Sequence, residues 1–238
     1  MNLPDRISNW IRDKVIETHK EGVIVGLSGG IDSAVVAVLS KHSVGDKLLG
    51  IIMPCGYSNP EDEEDVNLLA TTFDIRIEKI ILTSIYDKLI EVLPPGPNRM
   101  QSNIKPRLRM LTLYYFANKL NYLVVGTGNK SEILTGYFTK YGDGGVDILP
   151  LGDILKTQVI ELAKELRIPS KIIEKIPTAG LWEGQTDEGE LGISYTELDK
   201  TILTIKSGNY TETDLITKIK TLISESEHKR IPIPIFNI

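Results

Sequence analysis

Apolar residues fall along this chain in two alternating rhythms. Short unbroken runs, "GVIVGLS" (22–28), "KLLGIIMP" (47–54), "IRIEKIIL" (75–82) and "NYLVVGTGN" (121–129), predict strands buried on both faces. Between them lie longer amphipathic stretches that predict helices: "DSAVVAVLSKH", "NPEDEEDVNLLATTFD", "SIYDKLIEVL" and "IKPRLRMLTLYYFANKL". Pro60 followed by acids marks one helix start, because proline and negative charge both suit a first turn. "PPGPNRMQSN" (94–103) breaks regular structure and predicts a loop, and "VDILPLG" (146–152) is a candidate fifth strand. From Lys156 onward the pattern is mostly helical. Strands alternating with helices point to an α/β fold, a doubly wound open parallel sheet of Rossmann-like type with a helical C-terminal third, as one domain over residues 1–238. Such sheets bind ligands beyond the carboxyl ends of their strands. The segments "GLSGG", "MPCGYS" and "GTGNKSE" should therefore share one edge and form the site.

Composition narrows the partners. The 238 residues are 41% hydrophobic and 25% charged with a formal net charge of -5, so an extended nucleic-acid face, which would be basic, is disfavoured. A local basic pocket for a small anion remains compatible with this balance. The single cysteine, Cys55, allows no intrachain disulfide and no cysteine zinc cluster. That suits a reducing compartment, and with no signal peptide and no bilayer-length apolar run the expected location is cytoplasmic, away from the membrane. "MPCGYS" reads as a strand entering a turn and not as a nucleophile site.

The stretch "VGLSGGIDSAVV" (25–36) carries the chemistry. A buried strand enters it and a helix leaves it, so helix-start amides face a concave loop, which is an anion site. Gly29 and Gly30 let backbone approach a ligand, and Ser28 and Ser33 add hydroxyls. Asp32 would repel phosphate, so its sensible role is to hold magnesium bridging phosphate oxygens. The loop is neither G-x-x-x-x-G-K-[ST] nor G-x-G-x-x-G. It resembles the S-G-G-x-D-S loop of ATP pyrophosphatases, which cleave ATP between the α and β phosphates.

Further along, "NIKPRLRM", "VVGTGNKSE", "TGYFTKYGDGGVDILPLGDILKTQV", "KIPTAGLW", "QTDEGELGISY" and "EHKR" occur in that order. Together they resemble the NAD synthetase family from about Gly22 to Arg230, with "GYFTKYGDGG" the most family-specific part. The resemblance implies an adenine nucleotide alpha-hydrolase-like fold and a ligase that amidates deamido-NAD to NAD with ATP, magnesium and ammonia. It implies ATP contacts at Gly26, Leu27, Ser28, Gly29, Gly30, Ile31, Asp32, Ser33, Thr127, Lys156 and Thr178. It implies deamido-NAD contacts at Arg107, Lys140, Asp147, His228 and Lys229, and magnesium ligands at Asp32 and Glu132. Asp32 and Lys156 are the catalytic pair, with Lys156 supplying the point charge on pyrophosphate that the loop lacks. Arg109, on the same helix as Arg107, could serve either substrate. The loop "GTGN" departs from the "GTDH" of many bacterial relatives, so no side-chain role is carried over to Gly128 or Asn129. Tyr137 and Phe138 could stack on the nicotinate ring or simply be core aromatics.

The implied mechanism is adenylation of the nicotinate carboxylate, then attack by ammonia and loss of AMP, with Asp147 a candidate proton acceptor. A glutamine-hydrolysing unit would need a cysteine nucleophile and a domain of its own, so free ammonia, or ammonia from a separate subunit, is expected. "LWEGQTDEG" (181–189) combines glycines, acids and little apolar content, which predicts a lid that is mobile without substrate. The helix "IKPRLRMLTLYYFANKL" is apolar on more than one side, which together with the family resemblance predicts a homodimer with a shared dinucleotide site. Two alternatives stay open: a pyrophosphate-loop enzyme that adenylates RNA, and a non-catalytic ATP-binding module.

Overall fold

The computed structural model describes residues 1–56 and 59–237. Its sheet has four parallel strands, β1 (Gly22–Leu27), β2 (Leu48–Ile52), β3 (Ile77–Lys79) and β4 (Tyr122–Val125), in the order β3-β2-β1-β4. The chain runs outward from β1 through β2 to β3 and then crosses back to β4, so the strand order reverses beside β1. A crevice opens at such a reversal, at the carboxyl ends of the strands.

Twelve α-helices occur among the described residues. In order they are α1 (Leu3–Glu17), α2 (Ile31–Val44), α3 (Pro60–Phe73), α4 (Thr83–Val92), α5 (Asn98–Ser102) and α6 (Ile104–Leu120). The remainder are α7 (Lys130–Thr135), α8 (Lys156–Glu165), α9 (Ser170–Ile173), α10 (Asp187–Leu191), α11 (Tyr195–Ser207) and α12 (Asp214–Glu225).

Alternation within the strands builds two cores. Val23, Val25 and Leu27 pack with α1, α2, α3, α8 and α9, whereas Ile24, Leu49 and Ile51 pack against α6 on the other face. Both faces are covered, so the strand residues are apolar without a break. Helix α2 is buried from Ser33 to Ser40 because α1 and α8 flank it above the sheet. A third core joins α8 to the C-terminal helices through Leu155, Leu191, Leu198, Ile202 and Ile219.

Three local expectations change, and the amino-terminal stretch, for which none was made, is a helix, α1, with Asn2 as its N-cap. Within the predicted loop 94–103, α5 forms a short helix. Strand β3 covers only Ile77–Lys79 of the apolar run 75–82. "VDILPLG" makes an isolated bridge, Val125 with Ile148, and no strand, because a tight turn at Leu149–Gly152 takes the backbone away from the sheet. The "MPCGYS" loop is described to Gly56, and Tyr57 and Ser58 lie outside the described residues. No described helix is long and apolar enough to cross a membrane.

Candidate active site

The β1–α2 loop is shaped by its own hydroxyls. Ser33 Oγ donates to the Gly30 carbonyl at 2.9 Å and lies 3.1 Å from Ser28 Oγ, and the Ser28 amide donates to Ser33 Oγ at 3.3 Å. Gly29 has φ +77°, and a Cβ there would stand 2.6 Å from the Asp62 carbonyl oxygen, so glycine is required by backbone geometry and by the close approach of α3. Gly30 is the N-cap of α2 and supplies no side-chain cap. The first-turn amides are thus left for a ligand, at the positive end of the helix dipole.

Around this loop opens a cleft of about 380 Å³. Gly26, Leu27, Ser28, Gly30, Ile31, Asp32 and Ser33 line it, joined by Thr127, Glu132, Lys156, Thr178 and Lys229. Every sequence-predicted ATP or magnesium residue except Gly29 is therefore in the lining. The dinucleotide set divides. Lys229 faces the cleft, while Arg107, Lys140, Asp147 and His228 are not among its lining residues. Arg107, Lys140 and His228 nevertheless cluster beside it: Arg107 donates to the Lys140 carbonyl at 3.3 Å, and Lys140 Nζ donates to the His228 carbonyl at 2.6 Å. Lys229 Nζ donates to the carbonyls of Gly136 and Phe138 at 2.7 and 2.9 Å. Asp147 stands apart, accepting from Tyr114 Oη at 2.9 Å and from the Val124 amide at 2.8 Å.

At one wall of the cleft lies a compact charge cluster. Lys156 Nζ donates to Asp32 Oδ2 and lies 3.7 Å from Glu132 Oε1, with side-chain exposures of 3%, 16% and 16% for Lys156, Asp32 and Glu132. Burial opposes charge on Lys156, but Asp32 and Glu132 more than offset it and hold the ammonium above its ordinary range. Burial and then the neighbouring Asp32 charge push the Glu132 carboxyl well up. Asp187 adds a third carboxylate, also raised by burial, so this corner carries more acid than base.

Several residues that sequence reasoning did not assign hold this cluster. Asn129, fully buried, donates from Nδ2 to Asp32 Oδ1 at 2.9 Å. Its Oδ1 accepts from the Glu132 amide, while Glu132 Oε2 accepts from the Asn129 amide, a reciprocal cap on α7. The N-x-x-E spacing in "NKSE" was a legible signal for that cap. Asp199 accepts from the Thr157 amide and hydroxyl, both at 2.8 Å, and from Ser131 Oγ, which in turn accepts from the Lys156 amide at 3.0 Å. This chain fixes the start of α8 and so aims Lys156. Tyr195 donates to Asp187 Oδ2 at 3.1 Å and lies with its ring 5.1 Å from Lys156 Nζ. Asp187 and Tyr195 lie in the family-like stretch "QTDEGELGISY" but were assigned no role there, because each reaches the site only by packing of the C-terminal helices.

The stretch expected to be a lid lies across the cleft, tied by polar contacts. Lys105 Nζ donates to the Leu181 carbonyl at 2.6 Å, the Leu181 amide donates to Gln185 Oε1 at 2.7 Å, and Gln185 Nε2 donates to Glu190 Oε2 at 2.6 Å. Tyr137 donates toward Asp187 and Glu190, at 3.1 and 2.7 Å, while Phe138 lines the cleft wall. Cys55 is fully buried and its thiol is pushed up by burial, so it is a poor nucleophile.

Comparison with known proteins agrees with this geometry. The sequence profile described as NAD synthase matches residues 3–233. The NH(3)-dependent NAD(+) synthetase of Carboxydothermus hydrogenoformans is 50% identical over 234 residues, covering 96% of this chain and 94% of that protein. The structure of NMN synthetase from Francisella tularensis is similar with a TM-score of 0.92 and 36% identity, covering 99% of this chain and 98% of that one. The NH3-dependent NAD synthetase of Campylobacter jejuni, solved with a nitrate ion, has a TM-score of 0.87 at 29% identity, covering both chains fully.

Proposed function

The chain belongs to the NAD synthase family, and from that premise we propose that it is a ligase that amidates deamido-NAD to NAD with ammonia and ATP. The observation that carries this reading is the buried Asp32–Lys156–Glu132 cluster at the mouth of a pyrophosphate-type loop. Nicotinate oxygen attacks the α-phosphorus, the bond to the β-phosphate bridge breaks, and pyrophosphate leaves. Ammonia then attacks the acyl carbon, AMP departs, and one proton is lost from nitrogen. The loop amides and Lys156 stabilise the departing pyrophosphate, where negative charge grows. Most of the acceleration comes from holding two substrates in line, since no protein nucleophile is required.

Magnesium fits the donor set. Asp32 and Glu132 converge on one lysine ammonium, and with Asp187 they outnumber it. Among the described residues no group of three or more ligating side chains forms a closed cage. Magnesium is commonly held by one or two carboxylates plus substrate phosphates, so this open arrangement suits it. When bound it would neutralise charge on the phosphate oxygens.

Arg107, Lys140, His228 and Lys229 form a basic rim for the dinucleotide phosphates, completed by a second copy of the chain across α6. Leu111 and Tyr115 on that helix are 64% and 65% exposed, which supports a covered face. Asp147, engaged by Tyr114 and outside the cleft lining, is poorly placed to accept the ammonium proton within one subunit. ATP dependence and the single cysteine support a cytoplasmic setting for one catalytic domain over residues 1–238.

The test is to mix the protein with ATP, magnesium, ammonium and deamido-NAD and to measure NAD, AMP and pyrophosphate. The Francisella tularensis relative, an NMN synthetase by name, favours a second reading in which the mononucleotide is amidated. Parallel assays with deamido-NAD and with the nicotinate mononucleotide separate the two by kcat/KM.

A further inference from the structure

Arg109 forms no ion pair among the described residues, and Asp143 and Asp62, which share its cleft, act on it only through space. Its guanidinium lines the cleft, and its one described hydrogen bond is from Nε to the Met53 carbonyl at 3.3 Å. Among the described residues no carboxylate lies within 4.0 Å of it, and neither terminal nitrogen takes part in a described hydrogen bond. Half-buried, it loses hydration, and burial pulls its pKa below the ordinary value. Arginine stays charged regardless, so its terminal nitrogens lack a direct anionic partner.

Helix geometry says where that anion lies. Leu113 sits over Gly26 near the end of β1, because a Cβ on Gly26 would stand 3.5 Å from Leu113 Cδ1. Helix α6 passes through a one-residue turn into β4 and therefore runs antiparallel to the strands. Arg109, four residues earlier, is about 6 Å nearer the carboxyl edge. That puts it beside the β1–α2 loop on the α6 face of the sheet, opposite the face that carries α2, α8 and Lys156. A phosphate chain resting on the loop thus has Lys156 on one flank and Arg109 on the other.

The chemistry distinguishes the anions that could meet it. Pyrophosphate belongs with the loop amides and Lys156. The nicotinate carboxylate loses its charge as soon as it becomes a mixed anhydride, and the amide product is neutral. The α-phosphate is anionic in ATP, in the acyl adenylate and in AMP. A permanent cation with two unpaired terminal N–H groups suits two non-bridging oxygens that persist through both steps. We infer that Arg109 binds the α-phosphate of the adenylyl group throughout the reaction. This inference rests on the ATP-dependent reading of the cleft.

Calorimetric titration of wild type, Arg109→Gln and Arg109→Lys with AMP, adenosine and pyrophosphate tests it. Arg109→Gln should weaken AMP about 10- to 100-fold, the usual loss for a hydrogen bond to a charged group. Adenosine and pyrophosphate should bind as in wild type. Arg109→Lys should recover only part of the AMP affinity, since a point charge replaces a fork. If Arg109→Gln does not fold by circular dichroism, the same AMP-to-adenosine comparison in Arg109→Lys decides. Equal losses for AMP and adenosine would show that Arg109 only shapes the pocket and would overturn the assignment. So would unchanged AMP affinity in Arg109→Gln. Wild-type protein that binds neither ATP nor AMP would overturn the functional reading and this assignment together.

Discussion

On the α2–α8 wall of the cleft, Lys156 is ion-paired with carboxylates; on the α6 wall, Arg109 makes no ion pair among the described residues. The first wall is internally compensated, with Asn129, Asp199 and Tyr195 fixing the charged groups in place. Such a cluster can take a divalent cation and phosphate only by exchanging protein partners for ligand. The second wall is uncompensated and waits for an anion. Lys105 behaves similarly: it is 4% exposed, has no ion-pair partner among the described residues, and spends its ammonium on one carbonyl of the lid. On the proposed function the two walls divide the labour: one is preorganised for the charge that leaves, the other for the groups that must be gripped and covered.

Removing the centre of the compensated wall should have the largest effect. Lys156→Ala is expected to lower single-turnover adenylation by about 100- to 1,000-fold, as loss of one transition-state donor does. Deamido-NAD affinity should change little. Asp32→Ala should abolish pyrophosphate release while circular dichroism stays native, because Asp32 sits in the first turn of α2 facing the cleft and no apolar core cavity opens. Normal adenylation with defective dinucleotide binding in Lys156→Ala would move that lysine to the other substrate.

On the opposite wall, Lys105→Met keeps the aliphatic stem and removes the donor to Leu181. Amide hydrogen exchange over 181–189 should speed up, and KM should rise by roughly 10-fold, the worth of one charged hydrogen bond. Unchanged exchange would show that the lid is held without α6. Tyr115→Glu on the outer side of the same helix should shift sedimentation equilibrium from dimer toward monomer and cost activity with it. A fully active monomer would remove the shared site.

The smallest effect concerns pH. The Glu132 carboxyl is raised in the folded chain, chiefly by burial, so the folded state binds its proton more tightly than the unfolded state does. Its contribution to stability is then lost as pH rises above the unfolded value of about 4.3. Glu132→Gln should flatten that decline, which runs from the unfolded value up through about 8, in a thermal melt of the ligand-free protein. A slope equal to that of wild type would mean that Glu132 is ionised in the apo fold.

The sequence alone determined the sheet, the loop and the wall that follows from them. Unbroken apolar runs bounded by turn residues pointed to buried parallel strands, and S-G-G-x-D-S at a strand-to-helix junction pointed to an anion site, because both signals are local. The cap at Asn129 and Glu132 was equally local, spaced three residues apart in the printed chain. Tertiary structure alone decided the rest. Asp187, Tyr195 and Asp199 reach Lys156 from helices 31 or more residues away, Asp147 turns out to serve Tyr114 and Val124, and the run 146–152 makes a bridge and no strand. Arg107 and Arg109, two positions apart in a basic run, end on different sides of one helix. Periodicity says that residues two apart diverge by about 200°. It does not say which of them meets solvent and which meets the cleft, because that depends on where α6 lies on the sheet.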